Sequence, residues 1–503
     1  MQLEYILPKV RHLTSCFYGI PFLALGNLAG NAIAIGVVIM RAAGRKDDRV
    51  TILGIAIAIV SASVLIHVFS RRGGILVNNV FGIVKILILL TMIGLGFWYK
   101  PVASSSARPE EAALHLPWSF YVGGDDITHR RYVTDYIKAF GYVFYSYSGF
   151  QQPFYVISEA YRPKQTFPLA TISAWFVGAA LFMLVNVAYL CVVPKEVVFS
   201  AFKDRKADLF EPISTLFFRR LFSKTFPVIG DAARAEKAMA ALTAISIFGN
   251  ILVMTFTASR VKQEIARDGI VPPGLFFARS YKTPYEWIKK RLFGETKDSN
   301  PYVEHSPIPA LGLHWLTSVI LILATAKLPP KKAYIVLVDL YGYVIRIWVP
   351  LVVAVGLLYL KAHPRKRWAS FTQFPTVTSP FHIILYAVTL FFLVTGLFVK
   401  PPPGSAADRA SEIQWNIVPS IGLSALVWGP IWFLGIKIYE KFGTRLEVNK
   451  TYLIVEQDDG SYVQKLVVTD KRWTTYNHGE AQPQGVDLDT VILVSNETEN
   501  LML

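Results

Sequence analysis

The 503-residue chain carries a net charge of +16, is 53% hydrophobic and only 17% charged, and has a mean hydropathy of +0.40. A soluble protein carries about a quarter charged residues, so this composition, with its repeated apolar runs of roughly 20 residues, excludes an ordinary soluble protein and indicates a polytopic helical membrane protein. The basic residues lie in the loops between apolar runs, where they orient helices and meet anionic lipid, so the charge does not indicate nucleic-acid binding.

The apolar runs predict an all-α fold of about ten transmembrane helices, with both termini on one side of the membrane. Basic clusters after the second, sixth and eighth spans place that side in the cytoplasm. Basic residues in the 41–49 and 194–237 loops oppose this orientation. Residues 1–12 form a short cytosolic segment without the features of a signal peptide, and residues 13–440 form the transmembrane domain. The predicted spans are 13–40, 52–70, 75–99, 134–158, 169–193, 238–260, 308–327, 333–360, 380–399 and 416–437.

The first span contains the run GNLAGNAIAIG, which places Asn27 and Asn31 four residues apart on one helix face. Asparagine among glycine and alanine is typical of close helix packing with interhelical hydrogen bonds. The sixth span repeats the pattern in SIFGNILVMTF, at Gly249 and Asn250. Asn27 and Asn250 are also candidates for substrate contact.

The third span carries a lysine, Lys85, as the eleventh of its 25 residues. This position is roughly 15 Å from either end, too deep for the lysine stem to reach the interface fully. An ionisable residue at this depth indicates a function, either a proton carrier or a fixed cation in the place where other transporters bind sodium. The alternative is a structural lysine bonded to backbone carbonyls of a neighbouring helix.

The fourth span, within FGYVFYSYSGFQQPFYVISEA at residues 140–160, has its weakest helix formers in its middle. Serine and glycine at 146–149 weaken the helix, and Pro153 removes one amide donor. Backbone groups left unpaired in lipid are unfavourable, so a broken helix is tolerated where it lines a cavity. Transporters use such breaks to bind substrate. The alternative is a proline kink with small residues for helix packing.

The eighth span contains two charged residues, Asp339 and Arg346, in VDLYGYVIRIWVP. Seven residues apart, they share a helix face but lie roughly 10 Å apart along the axis, so they do not pair directly. We expect each to meet a polar partner or a water-filled vestibule, and both a structural role and a substrate role remain open.

No motif indicates an enzyme. The chain lacks HExxH, a P-loop, a dinucleotide GxGxxG and a nucleophile elbow, and its nine histidines show no metal spacing. Cys16 and Cys191 form neither a metal pattern nor a disulfide framework. We therefore expect no catalytic residue, no metal and no cofactor.

The tail, residues 441–503, is polar and is predicted to be cytosolic. The run TYLIVEQDDGSYVQKLVV alternates around Asp459-Gly460, which predicts a β-hairpin. Two glycosylation sequons, at Asn449 and Asn496, are expected to be unused in a cytosolic tail.

Four stretches carry a resemblance to a known family. FGYVFYSYSGFQQPFYVISEAYRPKQTFPLA resembles the sixth helix and following loop of L-type amino-acid transporters, SIFGNILVMTFTASRVKQEIARDGIVP their eighth helix, and VKILILLTMIGLGF their fifth helix with its lysine. LEYILPKVRHLTSCFYGIPFLALGNLAGNAIAIG is similar to the stretch leading into the third helix of fungal high-affinity methionine permeases. The resemblance runs from residue 3 to about 475 and implies a member of the amino acid–polyamine–organocation superfamily.

The resemblance implies roles for matching positions. Tyr145 falls at the family's aromatic gate, and the 146–149 stretch falls where an unwound helix binds the α-amino group. Gln151 replaces an asparagine of the family and Ser148 its first glycine, which leaves the substrate side chain undetermined. Lys85 matches the lysine that bridges the fifth helix to an unwound first helix. The residues implied in substrate binding are Tyr145, Ser146, Tyr147, Ser148, Gly149, Gln151, Asn27 and Asn250, and those implied in an inner gate are Glu159 and Arg260.

The same alignment places residues 13–40 at the family's third helix, so we expect the family's first two helices to be missing from this chain. The family's first helix carries the break that holds the substrate carboxylate, and the five-plus-five inverted repeat would be incomplete. Either the polypeptide begins further upstream, or the chain is a shortened paralogue.

Together these patterns predict transport of neutral L-amino acids across the plasma membrane by alternating access around the broken helix 134–158. A methionine-like substrate and proton-coupled uptake are favoured. The partners are the amino-acid substrate and the lipid bilayer. A transport-incompetent paralogue or a nutrient-sensing receptor is the alternative.

Overall fold

The structure, a computed structural model, forms two compact units, Met1–Phe433 and Leu434–Leu503. The first unit holds a bundle of apolar helices, and the second holds the end of the last helix and a β-hairpin. The residues described are 12–45, 48–99, 132–159, 163–193, 213–225, 232–271, 274–293, 305–363, 379–403, 414–441, 444–456 and 462–475.

The transmembrane part is all-α, as predicted. The helices are α1 Leu13–Leu25, α2 Ala29–Ala42, α3 Arg49–Phe69, α4 Arg71–Trp98, α5 Val133–Ser146, a 3-10 segment Gln152–Glu159, α6 Pro163–Val192, α7 Ile213–Thr225, α8 Ala232–Arg267, α9 Gly274–Ala278, α10 Pro284–Phe293, α11 Ile308–Ala324, α12 Pro330–Tyr341, a π-helical segment Gly342–Trp348, α13 Val349–Ala362, α14 Pro380–Gly396 and α15 Ile417–Lys441. The strands are β1 Tyr281–Lys282, β2 His305–Ser306, β3 Thr444–Glu456 and β4 Tyr462–Thr475.

The predicted spans correspond to helices. Among the described residues, seven helical stretches are long and apolar enough to cross a membrane, and α11 and α14 are shorter apolar helices. The remaining predicted span, 134–158, is the broken segment formed by α5 and the 3-10 segment. These helices confirm a polytopic all-α membrane protein.

The surface of α4 shows what the bundle faces. Leu76, Ile83 and Leu87 are 65%, 60% and 55% exposed. A helix with such a face is unstable in water, whereas in a bilayer these side chains contact lipid. The pattern supports an integral membrane protein.

The core of the bundle lies where α2 packs between α3, α8 and α12. Leu28, Ile33, Ile52 and Ile251 are fully or almost fully buried in this cluster. Gly36 lets α2 approach the backbone of α3, because a Cβ at this position would lie 2.8 Å from the carbonyl oxygen of Ile52. This close packing fixes α2 and α8.

The first predicted span is not one continuous helix. The chain leaves the helix after Leu25 and re-enters it at Ala29. Asn27 stabilises this interruption locally, because its Nδ2 donates to the carbonyl of Leu25 (2.8 Å) and its Oδ1 accepts from the amide of Ala29 (2.8 Å). The prediction of an interhelical bond is therefore wrong for Asn27, whereas Asn31 does donate across helices, to the sulfur of Met254 at 3.4 Å.

Two further boundaries differ from the sequence prediction. The helix α8 continues to Arg267, seven residues beyond the predicted end at residue 260. The helix α7 occupies part of the predicted 194–237 loop, and its buried residue Phe217 packs against Tyr189 of α6 with ring centroids 5.3 Å apart. Tertiary packing of an amphipathic face stabilises a segment that hydropathy alone assigns to a loop.

The start of α3 is capped by Asp48, whose Oδ2 accepts from the amide (2.9 Å) and the hydroxyl (2.5 Å) of Thr51. The hydrogen bond from the Thr51 hydroxyl has the larger effect and that from the Thr51 amide the smaller, and both lower the pKa of the Asp48 carboxyl. The cap satisfies orphan donors at the helix N-terminus.

The second unit contains the hairpin expected around Asp459-Gly460. β3 and β4 pair antiparallel from Thr444↔Thr475 to Glu456↔Tyr462, with an irregularity between Asn449 and Lys450. The turn itself and the sequon at Asn496 lie outside the described residues.

Candidate functional site

The fourth span breaks where the sequence predicted. α5 ends at Ser146, Gly149 has φ +113°, and a 3-10 segment begins at Gln152. A positive φ of this size is readily adopted by glycine, so Gly149 permits the turn. The amides of Ser148 and Gln152 close it by donating to the carbonyls of Tyr145 and Gly149, both at 3.0 Å.

Backbone acceptors are concentrated at this break. The hydroxyls of Ser146 and Ser148 donate to carbonyls of their own helix, both at 3.0 Å. The amide of Gly149 donates to Oε1 of Gln151 at 3.1 Å. Among the described residues, the carbonyl oxygens of Tyr147 and Ser148 accept no hydrogen bond. The break therefore offers acceptors, which suits an ammonium group.

The 3-10 segment is held by two neighbouring helices. Gln152 accepts through Oε1 from the hydroxyl of Thr257 on α8 at 2.6 Å. The ring of Tyr155 meets that of Phe22 on α1 edge to face, with centroids 5.7 Å apart. These contacts fix the far side of the break against α1 and α8.

On its other side the break meets the eighth span. The guanidinium of Arg346 lies 4.7 Å from the ring centroid of Tyr145 and 5.0 Å from that of Tyr341. The Tyr341 side chain also makes polar contacts with Gln151 and Tyr155. The structure thus brings two predicted site residues, Tyr145 and Gln151, together with Arg346, for which the sequence left the role open.

Lys85 lies away from the helix break, in a groove of about 370 Å³ between α4 and α8. Asn78 and Gly249 also line this groove. A Cβ at Gly249 would lie 3.3 Å from Cε of Lys85, so the glycine makes room for the lysine stem. Within the part of the chain that the structure describes, no carboxylate lies within 4 Å of this ammonium. Gly249 precedes Thr257 by eight residues, or roughly 12 Å along α8, so the groove and the break are separate places on one helix.

The other predicted site residues are dispersed. Tyr147 packs edge to face on Phe182 of α6, with centroids 5.2 Å apart. Asn250 is exposed on α8. Asn27 bonds locally in the interruption between α1 and α2, as described above.

The two predicted gate residues differ in position, because Arg260 lies seven residues before the end of α8 rather than at its end. Arg260 donates from Nη1 to Oε1 of Gln263 at 2.9 Å and lies 5.7 Å from the ring centroid of Phe256. Glu159 ends the 3-10 segment, and its side chain lies outside the described part of the structure.

Sequence reasoning missed a buried basic cluster. Lys262 on α8 and His314 on α11 are both 0% exposed, and Nζ of Lys262 donates to Oγ1 of Thr317 at 2.5 Å. Both ring nitrogens of His314 are buried without a hydrogen-bond partner among the described residues. Lys262 was missed because the span was predicted to end at residue 260. His314 could have been found as a histidine inside an apolar run.

An apolar helix bundle with one interrupted helix next to a cation is the arrangement found in many membrane transporters. Comparison with known proteins gives the particular family. The sequence profile described as "Amino acid permease" matches residues 1–423, and the chain therefore belongs to the amino acid permease family. This membership confirms the predicted family and the prediction that the protein is not an enzyme.

Two relatives from Saccharomyces cerevisiae are similar to the chain. It is 25% identical to the high-affinity methionine permease over 435 residues, which cover 85% of this chain and 67% of the relative. It is also 25% identical to the low-affinity methionine permease over 405 residues, which cover 79% of this chain and 64% of the relative. The chain thus spans about two thirds of the length of these relatives.

Proposed function

We propose that this amino acid permease takes up a neutral L-amino acid, with methionine as the first candidate, by alternating access around the broken helix. The observation that carries the proposal is the break itself, with its two unbonded carbonyls at Tyr147 and Ser148. Carbonyls freed by a mid-membrane break bind cations in transporters with discontinuous helices, and the ammonium of an amino acid is such a cation. The two similar permeases support methionine as substrate.

The test is uptake of labelled methionine into fungal cells that lack their own methionine permeases. Cells expressing the 503-residue chain are expected to accumulate label above vector controls, and unlabelled neutral amino acids are expected to compete. Background uptake by surface-expressed chain would contradict the proposal. Methionine binding by purified chain without uptake would instead support a nutrient-sensing receptor.

We further propose that uptake is coupled to protons, at a plasma membrane, with both termini in the cytoplasm. Uptake is then expected to rise when the external pH falls from 7 to 5 and to stop when a protonophore collapses the gradient. Equal uptake at both pH values with the protonophore present would indicate facilitated transport. Epitope tags at each terminus should be stained only after permeabilisation.

For the remaining predicted residues, we propose that Glu159 and Arg260 close the cytoplasmic side and that Asn250 contributes to the substrate path. These assignments rest on the family resemblance. Charge reversal at both positions together is expected to restore uptake lost on reversal of either one.

Gly149→Ala is expected to lower uptake about 10-fold, because a non-glycine residue at this positive φ is strained by roughly 1–3 kcal/mol. No atom of the described residues lies within 4 Å of an added Cβ, so backbone strain is the expected cause. Gly141→Ala is the matched control, since Gly141 has equally open space in the regular part of α5. Equal uptake by the two variants, at equal surface abundance, would argue against a required turn at Gly149.

A further inference from the structure

The guanidinium of Arg346 lies beside the broken helix, against the ring of Tyr145. Nε and Nη1 of Arg346 are buried, and neither has an acceptor among the described residues. Charged donors closed off from water without an acceptor are strongly destabilising. A side chain held in this way is suited to an acceptor that arrives from outside the chain.

The local backbone holds Arg346 in place. It lies in the π-helical segment Gly342–Trp348, between α12 and α13. The neighbouring side chains Val344, Ile345 and Ile347 are buried, so the segment is anchored on both sides of the arginine. Single π-helical turns inside α-helices are frequent at functional sites. The arginine is therefore presented by a rigid element rather than by a loop.

Two tyrosines cover the guanidinium, Tyr145 at 4.7 Å and Tyr341 at 5.0 Å between the guanidinium carbon and each ring centroid. Contacts between a cation and an aromatic ring are favourable but use no N–H donor in a hydrogen bond. The donors lie in the guanidinium plane, where they match the two oxygens of a carboxylate. The tyrosines thus hold the cation and leave its donors for a planar anion.

Asp339 does not hold the guanidinium of Arg346 in a close ion pair. Asp339 is within electrostatic range of Arg346, but it is also acted on by Lys138 of α5. No ion pair within 4 Å joins Asp339 and Arg346 in the described residues. The donors at Nε and Nη1 of Arg346 are therefore left for an acceptor other than Asp339.

The position of Arg346 fits an α-amino acid. Its partner Tyr145 is the penultimate residue of α5, two and three residues before Tyr147 and Ser148, whose carbonyls accept no hydrogen bond within the described part of the chain. An α-amino acid carries its ammonium and its carboxylate on one carbon, so it needs acceptors and a cationic donor close together. The break supplies the acceptors and the π-helical segment supplies the donor.

We propose that Arg346 binds the carboxylate of the transported amino acid. The inference rests on the proposed function and adds the residue that selects for a free carboxylate. Neutral amides and esters of the same amino acid would then be poor ligands, because they leave the charged donors without an anionic acceptor.

The experiment measures binding of labelled methionine to the purified full chain, with unlabelled methionine and methioninamide as competitors. Methioninamide keeps the side chain and the amino group but lacks the carboxylate. Loss of a charge-assisted hydrogen bond lowers affinity about 10- to 100-fold, and wild-type protein is expected to prefer methionine to methioninamide by this factor. In Arg346→Gln, the methionine affinity is expected to fall by the same factor while the methioninamide affinity stays within about threefold, so the preference is lost.

Arg219→Gln is the matched control, because Arg219 is a half-exposed arginine of α7 paired with Glu236 at 3.4 Å and far from the break in sequence. It is expected to keep the wild-type preference. Arg346→Lys covers the case in which the glutamine variant does not fold: it keeps the charge, so methionine should bind about 10-fold more weakly with the preference retained.

Three results are decisive against the proposal. A full carboxylate preference in folded Arg346→Gln, or unchanged methionine affinity in Arg346→Lys, would overturn the role of Arg346 alone. Wild-type chain that neither binds nor takes up methionine would overturn the proposed function, and the inference with it.

Discussion

Gly96→Leu is expected to remove most of the folded protein from the membrane. A Cβ at this position of α4 would lie 2.5 Å from Cβ and 3.0 Å from Cα of Ala188 on α6. Because part of the obstacle is backbone, a rotamer change cannot relieve it, and the helices must separate. Overpacking of this kind destabilises by about 1–3 kcal/mol and occasionally more, and four extra heavy atoms at this distance place Gly96→Leu at the upper end.

The measurement is surface abundance together with the melting temperature of the detergent-solubilised protein. Gly94→Leu is the matched control, two residues away on the same helix, where no atom of the described residues lies within 4 Å of an added Cβ. It is expected to change neither quantity. Gly96→Ala combined with Ala188→Gly should be more stable than Gly96→Ala alone, since the swap removes the closest of these contacts. Equal loss in the Gly94 and Gly96 variants would show that the α4–α6 contact is not close.

Local chemistry explains the features that the sequence predicted. The helical spans follow from runs of apolar residues, the break at 146–149 from a cluster of poor helix formers, and the hairpin from alternation around a turn. Each signal lies within about 25 residues of the feature it predicts. Such signals determine where helices start and break, within a few residues.

The interruption at Asn27 shows where local signals fail. Hydropathy is continuous across Leu13–Ala42. The sequence does not distinguish an asparagine that caps an interruption from one that packs between helices. The prediction for Lys262 is wrong for a related reason. Hydropathy falls before α8 ends, so a fully buried lysine was assigned to a loop. Neither the interruption at Asn27 nor the burial of Lys262 can be predicted from the local sequence pattern.

The role of Arg346 could not be predicted, because one of its two aromatic partners is distant in the chain. Tyr145 precedes it by 201 residues, and their contact depends on how α5 and the π-helical segment pack. A charge within an apolar span indicates that some partner exists. Which partner it is depends on tertiary structure, and here two aromatic faces contact the guanidinium.

Lys85 is where the functional and structural interpretations predict opposite changes in stability. It is the fifteenth residue of the 28-residue helix α4 and has no carboxylate within 4 Å among the described residues. Oδ1 of Asn78, one of the residues lining the same groove, is buried without a hydrogen-bond partner in that part of the chain. An unpaired charge in the bilayer is unfavourable, by about 2.5–3.5 kcal/mol at a helix centre on insertion scales. A lysine kept for stability would be expected to have a partner, whereas one kept for transport need not.

Lys85→Met is therefore expected to abolish methionine uptake while leaving the melting temperature unchanged or raising it by a few degrees, because the apolar stem is kept and the unpaired charge is removed. Lys361→Met is the control, at the end of α13, where a lysine stem reaches the interface; it should transport normally. Uptake and melting temperature are measured on the same preparations, so that a folding defect is separated from a transport defect. A melting temperature lowered by many degrees would assign Lys85 a structural role, and normal uptake would exclude it from the transport mechanism.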